Sequence, residues 1–411
     1  MKTNEFMFNS GTLLQALQTV KKVMSSRPLV PVLENYLFTV KGGKLTVTGT
    51  DLQNTFKLSL PVHGMDADFS ACVPPTVIKY LDKIIKSEGP APLTLTYDHE
   101  SYSIEVIDSI ARAKYSGENA SDFPRSPQTN VDTFETTSNL FKEFKDLLVY
   151  TSTDELRPAM TGIAFLDYQK QIYLAGTDGH RLKALNVNDQ ILPYGGIKPD
   201  GKCDAFCSDM RQYFILPSKA AKILSELNFK KENEGVVVRT GSDKQTIETK
   251  YSTSDVTLEF ISFSFRFGEF EAEFITRLIS ERYPDIWAVI PEEKETKTRY
   301  TTNDKAKFLS VLDRAQLFAN ATTHQIRLSL NGKLKISAED LDFKNEYCAE
   351  IEGSYTGDQI EIGFNAEYFK DCVNSFGNSF TLEMQAPNRC AVIRDAKQIV
   401  LCMPVMLTKY E

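Results

Sequence analysis

Leu13, Leu17, Val20 and Met24 recur along Ser10–Ser26 at the spacing of one helical face, with polar residues between them. The same rhythm returns five times. It runs from Pro74 through Val77, Ile78, Leu81, Ile84 and Ile85, then over Ser138–Val149 and in LPSKAAKILSEL from Leu216. It appears again over Asp304–Phe318 and in FNAEYFKDCVNSF from Phe364. Ser10 is the expected N-cap of the first helix, and Arg27-Pro28 closes that segment because the residue before proline avoids the helical region. Pro74-Pro75 and Pro217 suit first helical turns. Between the helices the period drops to two, as in VLENYLFTVKGG, LTLTY and SYSIEVI, which predicts strands.

The order helix, strands, helix, strands occurs three times, and one strand–turn–strand stretch recurs with it: GKLTVTGTDLQNTFKLSL, QIYLAGTDGHRLKALNV and GKLKISAEDLDFKNEYC. Asp51, Asp178 and Asp340 hold equivalent places in the three copies, as turn formers bonding their own backbone. SDFPRSP and ERYPDIWAVIP read as linkers, giving domains at 1–127, 128–291 and 292–411. The predicted fold class is α+β, three repeated domains with two helices packed on antiparallel sheets in each. Asp178 follows Asp51 by 127 residues and precedes Asp340 by 162, so the middle repeat carries about 35 extra. Two segments supply them, near 189–211 (expected to be loop) and 253–274. The second contains FISFSFRF, whose Phe263, Phe265 and Phe267 form one aromatic strand face, expected to pack on its own sheet, with a docking face as the alternative.

Composition changes this picture little. The chain has 411 residues and ordinary globular contents. MKTNEFMFNSGTLL lacks a signal-peptide core, and no stretch approaches the roughly 20 apolar residues of a membrane span, so a cytoplasmic protein without membrane contact is expected. Of seven cysteines, Cys348, Cys372 and Cys402 sit in apolar patterns and are expected to be buried free thiols. Cys203 and Cys207 have ligand-like spacing but no second pair nearby, so no metal site is expected.

Charge changes it more. The formal net charge is −8, yet the six predicted helices sum to about +5, leaving about −13 elsewhere. Lys79, Lys83 and Lys86 form one stripe opposite the apolar face of their helix. Basic helices on an acidic protein suit a phosphate backbone held without base readout.

Asp178 and His180 could serve a hydrolase, which is the alternative function. His180 has no cysteine or serine in a nucleophile motif, however, and no Walker-type loop, GxGxxG or paired-carboxylate motif occurs. Neither a catalytic site nor a cofactor is expected.

RPLVPVLENYLF, RPAMTG, TDGHRL, YPDIWAVIP and CMPVML, in this order on a threefold repeat, resemble the bacterial β sliding clamp family, the processivity subunit of DNA polymerase III. The resemblance runs from about Phe6 to Leu407, with Thr408–Glu411 beyond the usual end. It implies three clamp domains per chain and a head-to-tail homodimeric ring with sheets outside and helices lining the hole. The ring encircles duplex DNA without regard to sequence and keeps a tethered polymerase at high effective concentration, without catalysis. Implied partners are DNA, a second copy, the polymerase III catalytic subunit, the clamp loader, translesion polymerases and mismatch-repair proteins. The family's partner-peptide groove maps onto Met160, Thr177, Gly179, His180, Arg181, Leu182, Pro284, Val289, Leu401, Cys402, Met403, Pro404, Val405 and Met406. Arg27 corresponds to a DNA-contacting arginine, and the Lys79, Lys83 and Lys86 stripe is added to it as a DNA-binding face. Ala288 and Met406 stand where the groove often has arginines, so a more apolar rim is expected. Ala113 and Gln316 stand where one member has apolar ring-closing residues, while Leu317 is retained.

Overall fold

The computed structural model describes residues 3–63, 68–193, 210–229, 233–248, 253–340 and 343–407. Cys203, Cys207, most of the 189–211 segment and Thr408–Glu411 lie outside them. The chain divides into two compact units. Unit 1 is Met1–Leu140, Gln190–Ile197 and Ile223–Leu278; unit 2 is Phe141–Asp189, Lys198–Lys222 and Ile279–Glu411. The middle span 128–291 is thus shared between them.

Six α-helices occur among the described residues: α1 (Ser10–Val20), α2 (Thr76–Glu88), α3 (Asn139–Leu148), α4 (Ser218–Ser225), α5 (Lys305–Gln316) and α6 (Ala366–Asn374). All six apolar stripes therefore form helices, with shorter bounds than the periodicity suggests. The N-cap of α1 is Asn9 rather than Ser10, because its Oδ1 accepts the free N–H groups of Gly11 (2.9 Å) and Thr12 (3.1 Å). Ser10 is buried and its Oγ accepts from the Ala91 N–H instead. Successive tight turns from Lys21 to Met24 end this helix before Arg27-Pro28 is reached. Pro217 closes a strand rather than opening α4. Asp304 and Asn365 cap α5 and α6 through backbone N–H groups of their first turns.

In unit 1 a nine-stranded sheet runs in the order Leu192–Pro193, Val131–Thr137, Gly235–Glu248, Thr253–Phe267, Phe270–Arg277, Asn54–Pro61, Lys44–Thr50, Tyr36–Lys41, Phe69–Val73. A four-stranded sheet joins Thr3–Asn9, Pro92–Asp98, Ser103–Ile107 and Arg112–Ser116. In unit 2 the nine-stranded sheet runs Met210–Pro217, Gly162–Tyr168, Gln171–Thr177, Arg181–Asn186, Gln398–Cys402, Ala391–Arg394, Phe380–Met384, Thr298–Thr302, Ser354–Gly357. Its four-stranded sheet joins Asn345–Ile351, Lys333–Asp340, Gln325–Asn331 and Ile360–Asn365. Neighbouring strands are antiparallel in the ladders of both units, as the α+β reading requires.

The junctions inside the nine-stranded sheets matter most for function. In unit 1 the strand after the Asp51 turn pairs with Phe270–Arg277; in unit 2 the strand after the Asp178 turn pairs with Gln398–Cys402. Residues 270–274 therefore belong to a junction strand. What extends past the flanking strands is the ribbon 241–248 against 253–259. Phe263, Phe265 and Phe267 are buried in unit 1, where Phe265 meets Phe56 and Phe229, so this aromatic face packs on its own sheet.

Candidate partner-peptide groove

The residues assigned to the groove all lie in unit 2, on four segments. The first is the turn at 157–161. Pro158–Thr161 forms a single 3-10 turn, and Met160 is half-buried there, its carbonyl accepting from the Ser152 N–H.

The second is the Asp178 hairpin. Asp178 Oδ1 accepts the N–H groups of His180 and Arg181, both at 2.9 Å, and the Thr177 hydroxyl donates to the Arg181 carbonyl at 2.8 Å. This closes the turn around Gly179, whose φ of +87° favours glycine. A Cβ there would lie 3.5 Å from a guanidinium nitrogen of Arg157, so the first two segments meet at this point. The unit 1 copy repeats the pattern: Asp51 Oδ1 accepts from Gln53 and Asn54, and Thr50 donates to the Asn54 carbonyl. In the third copy Asp340 is buried as the last strand residue and pairs with Asn345, and the two residues that follow it lie outside the described ones.

Arg181 is committed internally. Its Nε lies 3.0 Å from Asp178, a second guanidinium nitrogen bonds Asp371 of α6, and the group lies over the Tyr368 ring. Burial opposes its charge, but Asp178 and Asp371 more than offset this and raise its pKa. Arg181 thus fixes the hairpin to α6 and is a positioning residue. His180 is exposed and stacks on Tyr368 at 5.5 Å, while Asp178 gives its carboxylate to the turn and to Arg181. That leaves the pair with structural tasks.

The third segment follows Tyr283. Tyr283 and Ile286 are buried in one apolar cluster with Leu182, Cys390 and Leu401, while Pro284 is half-buried and Val289 exposed. Trp287 stacks on Tyr168 at 4.1 Å and meets Tyr173 edge-on, so it packs this segment down. The fourth is the C-terminal run. Leu401 and Cys402 are buried in their strand, where Cys402 pairs with both Arg181 and Ala391. The Met403 N–H then donates to the His180 carbonyl at 2.7 Å, and the Val405 N–H to the Gly363 carbonyl at 2.9 Å. Gly363 permits that approach, since a Cβ would lie 2.8 Å from the Val405 carbonyl oxygen.

The predicted residues therefore divide in two. Thr177, Arg181, Leu182, Leu401 and Cys402 are internal supports. Met160, Gly179, His180, Pro284, Val289, Met403, Pro404, Val405 and Met406 keep surface to offer. Val289 (54 % exposed), Met403 (40 %) and Met406 (78 %) give this surface an apolar character, and Met side chains adapt readily to a guest. The sequence reading missed Arg157, Tyr368 and Asp371, and also Tyr150, whose ring lies 5.7 Å from the Arg181 guanidinium. Arg157 stood in the quoted RPAMTG run, and Tyr368 and Asp371 are three apart on α6.

The Cys390 and Cys402 thiols stay internal. A hydrogen bond with Cys372, followed by burial, holds the Cys402 thiol well above its ordinary range, and burial pushes Cys390 up to about 11. Cys348, expected to be buried, is exposed on an edge strand.

In unit 1 the candidate DNA-binding residues are all at the surface. Arg27 is exposed in the loop after α1, and Lys79, Lys83 and Lys86 project from α2 opposite its buried Val77, Leu81 and Ile84. Lys86 is held by Asp82 at 2.6 Å.

These features define an antiparallel α+β scaffold in which one hairpin–helix motif recurs and one copy has an exposed apolar rim. Residues 4–127 match the family described as DNA polymerase III beta subunit, N-terminal domain, and residues 288–407 the C-terminal domain of the same subunit. The beta sliding clamp of Haemophilus influenzae is 24 % identical over 377 residues, 90 % of each chain. That of Staphylococcus epidermidis is 25 % identical over 392 residues, 91 % of this chain and 90 % of the relative. Among solved structures, the DNA polymerase III subunit beta from Pseudomonas aeruginosa superposes with a TM-score of 0.79 at 24 % identity, over 98 % of this chain and all of that one. The DNA polymerase sliding clamp from Bacillus subtilis gives 0.79 at 20 % identity, over 99 % and 100 %. The two domain matches lie at both ends of one subunit and together span more than half the chain, so the chain belongs to the DNA polymerase III beta subunit family.

Proposed function

We infer that this chain is a DNA sliding clamp, a non-catalytic processivity factor that encircles duplex DNA and tethers the replicative polymerase. The carrying observation is family membership at both ends of the chain together with a fold likeness over nearly its whole length. The chain works as three clamp domains, 1–127, 128–291 and 292–411, and two copies close head to tail into a ring in the cytoplasm. The free edges of the two four-stranded sheets support closure. In unit 1 a bridge from Met7 to His63 covers one edge of the sheet, and in unit 2 a bridge from Gly363 to Val405 does the same. Arg112–Ser116 and Asn345–Ile351, at the opposite edges, have no such cover among the described residues.

Arg27, Lys79, Lys83 and Lys86 hold the phosphate backbone loosely, since tight or base-specific contacts would stop sliding. The apolar rim of Met160, Val289, Met403 and Met406 receives short partner peptides of the polymerase, the clamp loader, translesion polymerases and mismatch-repair proteins. A topological tether has one signature. Loaded by its clamp loader, the protein stays on a nicked circle and leaves once the circle is cut. Equal retention on both forms would overturn the mechanism. Met403→Ala should abolish polymerase stimulation while the ring itself stays intact, read as unaltered dimerisation; undiminished stimulation would remove the groove assignment.

A further inference from the structure

The third groove segment has few anchors of its own. Ile286 is buried and Trp287 stacks on Tyr168, but Ala288 and Val289 beyond them are exposed. What fixes the chain past Trp287 is the neighbouring sheet, acting on backbone carbonyls. The Cys390 thiol donates to the Val289 carbonyl at 3.7 Å, and the Arg394 guanidinium donates to the Pro291 carbonyl at 3.1 Å. Further on, the Thr296 hydroxyl donates to Glu383 at 3.4 Å.

Arg299, Glu383 and Arg394 come from three adjacent strands, Thr298–Thr302, Phe380–Met384 and Ala391–Arg394. Arg299 lies directly opposite Glu383, and Glu383 opposite Val392, which puts Arg394 diagonal to Glu383 on the same face. The Glu383 side chain is only 8 % exposed and meets Arg394 Nε at 2.9 Å and Arg299 Nε at 3.7 Å.

The two arginines differ in what they do there. Arg299 also meets Glu293 at 3.3 Å, so its charge does not depend on Glu383. Arg394 meets Glu383 through a charge contact without hydrogen-bond alignment, and its directed N–H bond goes to Pro291. A buried carboxylate is costly to desolvate. Here it holds a planar guanidinium in one place, aimed at the linker backbone.

We propose that Arg394 is a positioning residue of the partner groove: held by Glu383, it fastens the Pro291 carbonyl and so sets where Val289 stands. The proposal rests on the groove reading above and adds the group that fixes its third wall. A segment freed from this tie samples several positions. A guest then binds only the fraction that presents Val289 correctly, and the apparent affinity falls by that fraction.

Trp287 is the one tryptophan of the chain, so its fluorescence reports this segment directly. Changing Glu383→Leu together with Arg394→Met removes the tie without leaving an unpaired buried charge, since Arg299 keeps Glu293. The double variant should keep its circular-dichroism spectrum, while acrylamide quenches Trp287 about twofold more strongly. On primed circles loaded by the clamp loader, half-maximal synthesis should need about tenfold more polymerase III catalytic subunit, with an unchanged plateau. Arg394→Lys keeps a charge beside Glu383 but lacks the fork that spans Glu383 and Pro291, so it should move both readouts the same way. It carries the test alone if the double variant misfolds. Either readout unmoved, or a lowered plateau at the usual half-saturation, would sink the positioning role. Met403→Ala separates this from the groove itself. Stimulation lost there, with the Arg394 variants behaving as the unaltered chain, overturns the positioning role and leaves the groove; undiminished stimulation there overturns both.

Discussion

Leu52 holds a backbone conformation that its counterpart gives to glycine. Its φ is +73°, that of Gly179 is +87°, and both sit third in a Thr-Asp-x turn with the same hydrogen bonds. A leucine there carries the steric cost of a left-handed residue, and at 51 % exposure it has little burial to lose. Leu52→Gly should therefore raise stability by about 1 kcal/mol, and Gly179→Ala should lower it by a similar amount. Denaturant midpoints of the two variants test this, and a fall with Leu52→Gly would show that its side-chain contacts outweigh the backbone cost. The recurring aspartates were legible in the sequence because an Asx turn is local. The commitment of Arg181 was not, since Asp371 lies 190 residues away and no local spacing announces it.

At the scale of the element, the strand Arg181–Asn186 carries a second feature hidden from the sequence. Lys183 is 2 % exposed and faces Val400 across the junction, at the place where unit 1 sets Phe56 against Phe274. Burial lowers its pKa, and Asp146 and Glu143 of α3 together with Asp395 offset this in part, while Lys397 adds to the lowering. The folded state therefore binds this proton less tightly than the unfolded chain. The cost is complete below the depressed pKa and disappears as pH rises toward the ordinary lysine value of 10.5. Lys183→Met should stabilise the protein by about 1–3 kcal/mol near neutral pH. That advantage should shrink as denaturation is followed toward pH 10; one that stays constant with pH would mean that packing, and not the buried charge, is responsible. Helices were the most legible elements, because their apolar stripes survive in the buried faces of α1, α2, α5 and α6. Junction strands were the least legible. The pairing of Asn54–Pro61 with Phe270–Arg277 spans more than two hundred residues, and a residue such as Lys183 shows its burial only once the partner strand and α3 are in place.

For the whole molecule, the question is how a chain of net charge −8 stays on a polyanion. Affinity is a poor answer, since the net charge of an acidic protein opposes approach and salt weakens any attraction from its basic surface beyond about a Debye length. Enclosure is a better one, because it needs only a local basic surface to ease passage of the phosphates. On that account α2 should govern loading more than retention. Its Lys79, Lys83 and Lys86 are exposed and lie opposite the buried face, so changing all three to glutamate leaves Val77, Leu81 and Ile84 packed as before. The triple variant should keep its circular-dichroism spectrum and its dimerisation, yet load onto nicked circles at least about tenfold more slowly at low salt, with a shallower dependence of loading on salt because fewer counterions are released. Once loaded, it should persist on the closed circle nearly as long as the unaltered protein, because departure requires the ring to open rather than the phosphates to be released. Unaltered loading would move the phosphate-facing surface to another helix. A variant that loads normally but falls from closed circles would show that contact, and not enclosure, keeps the protein on DNA.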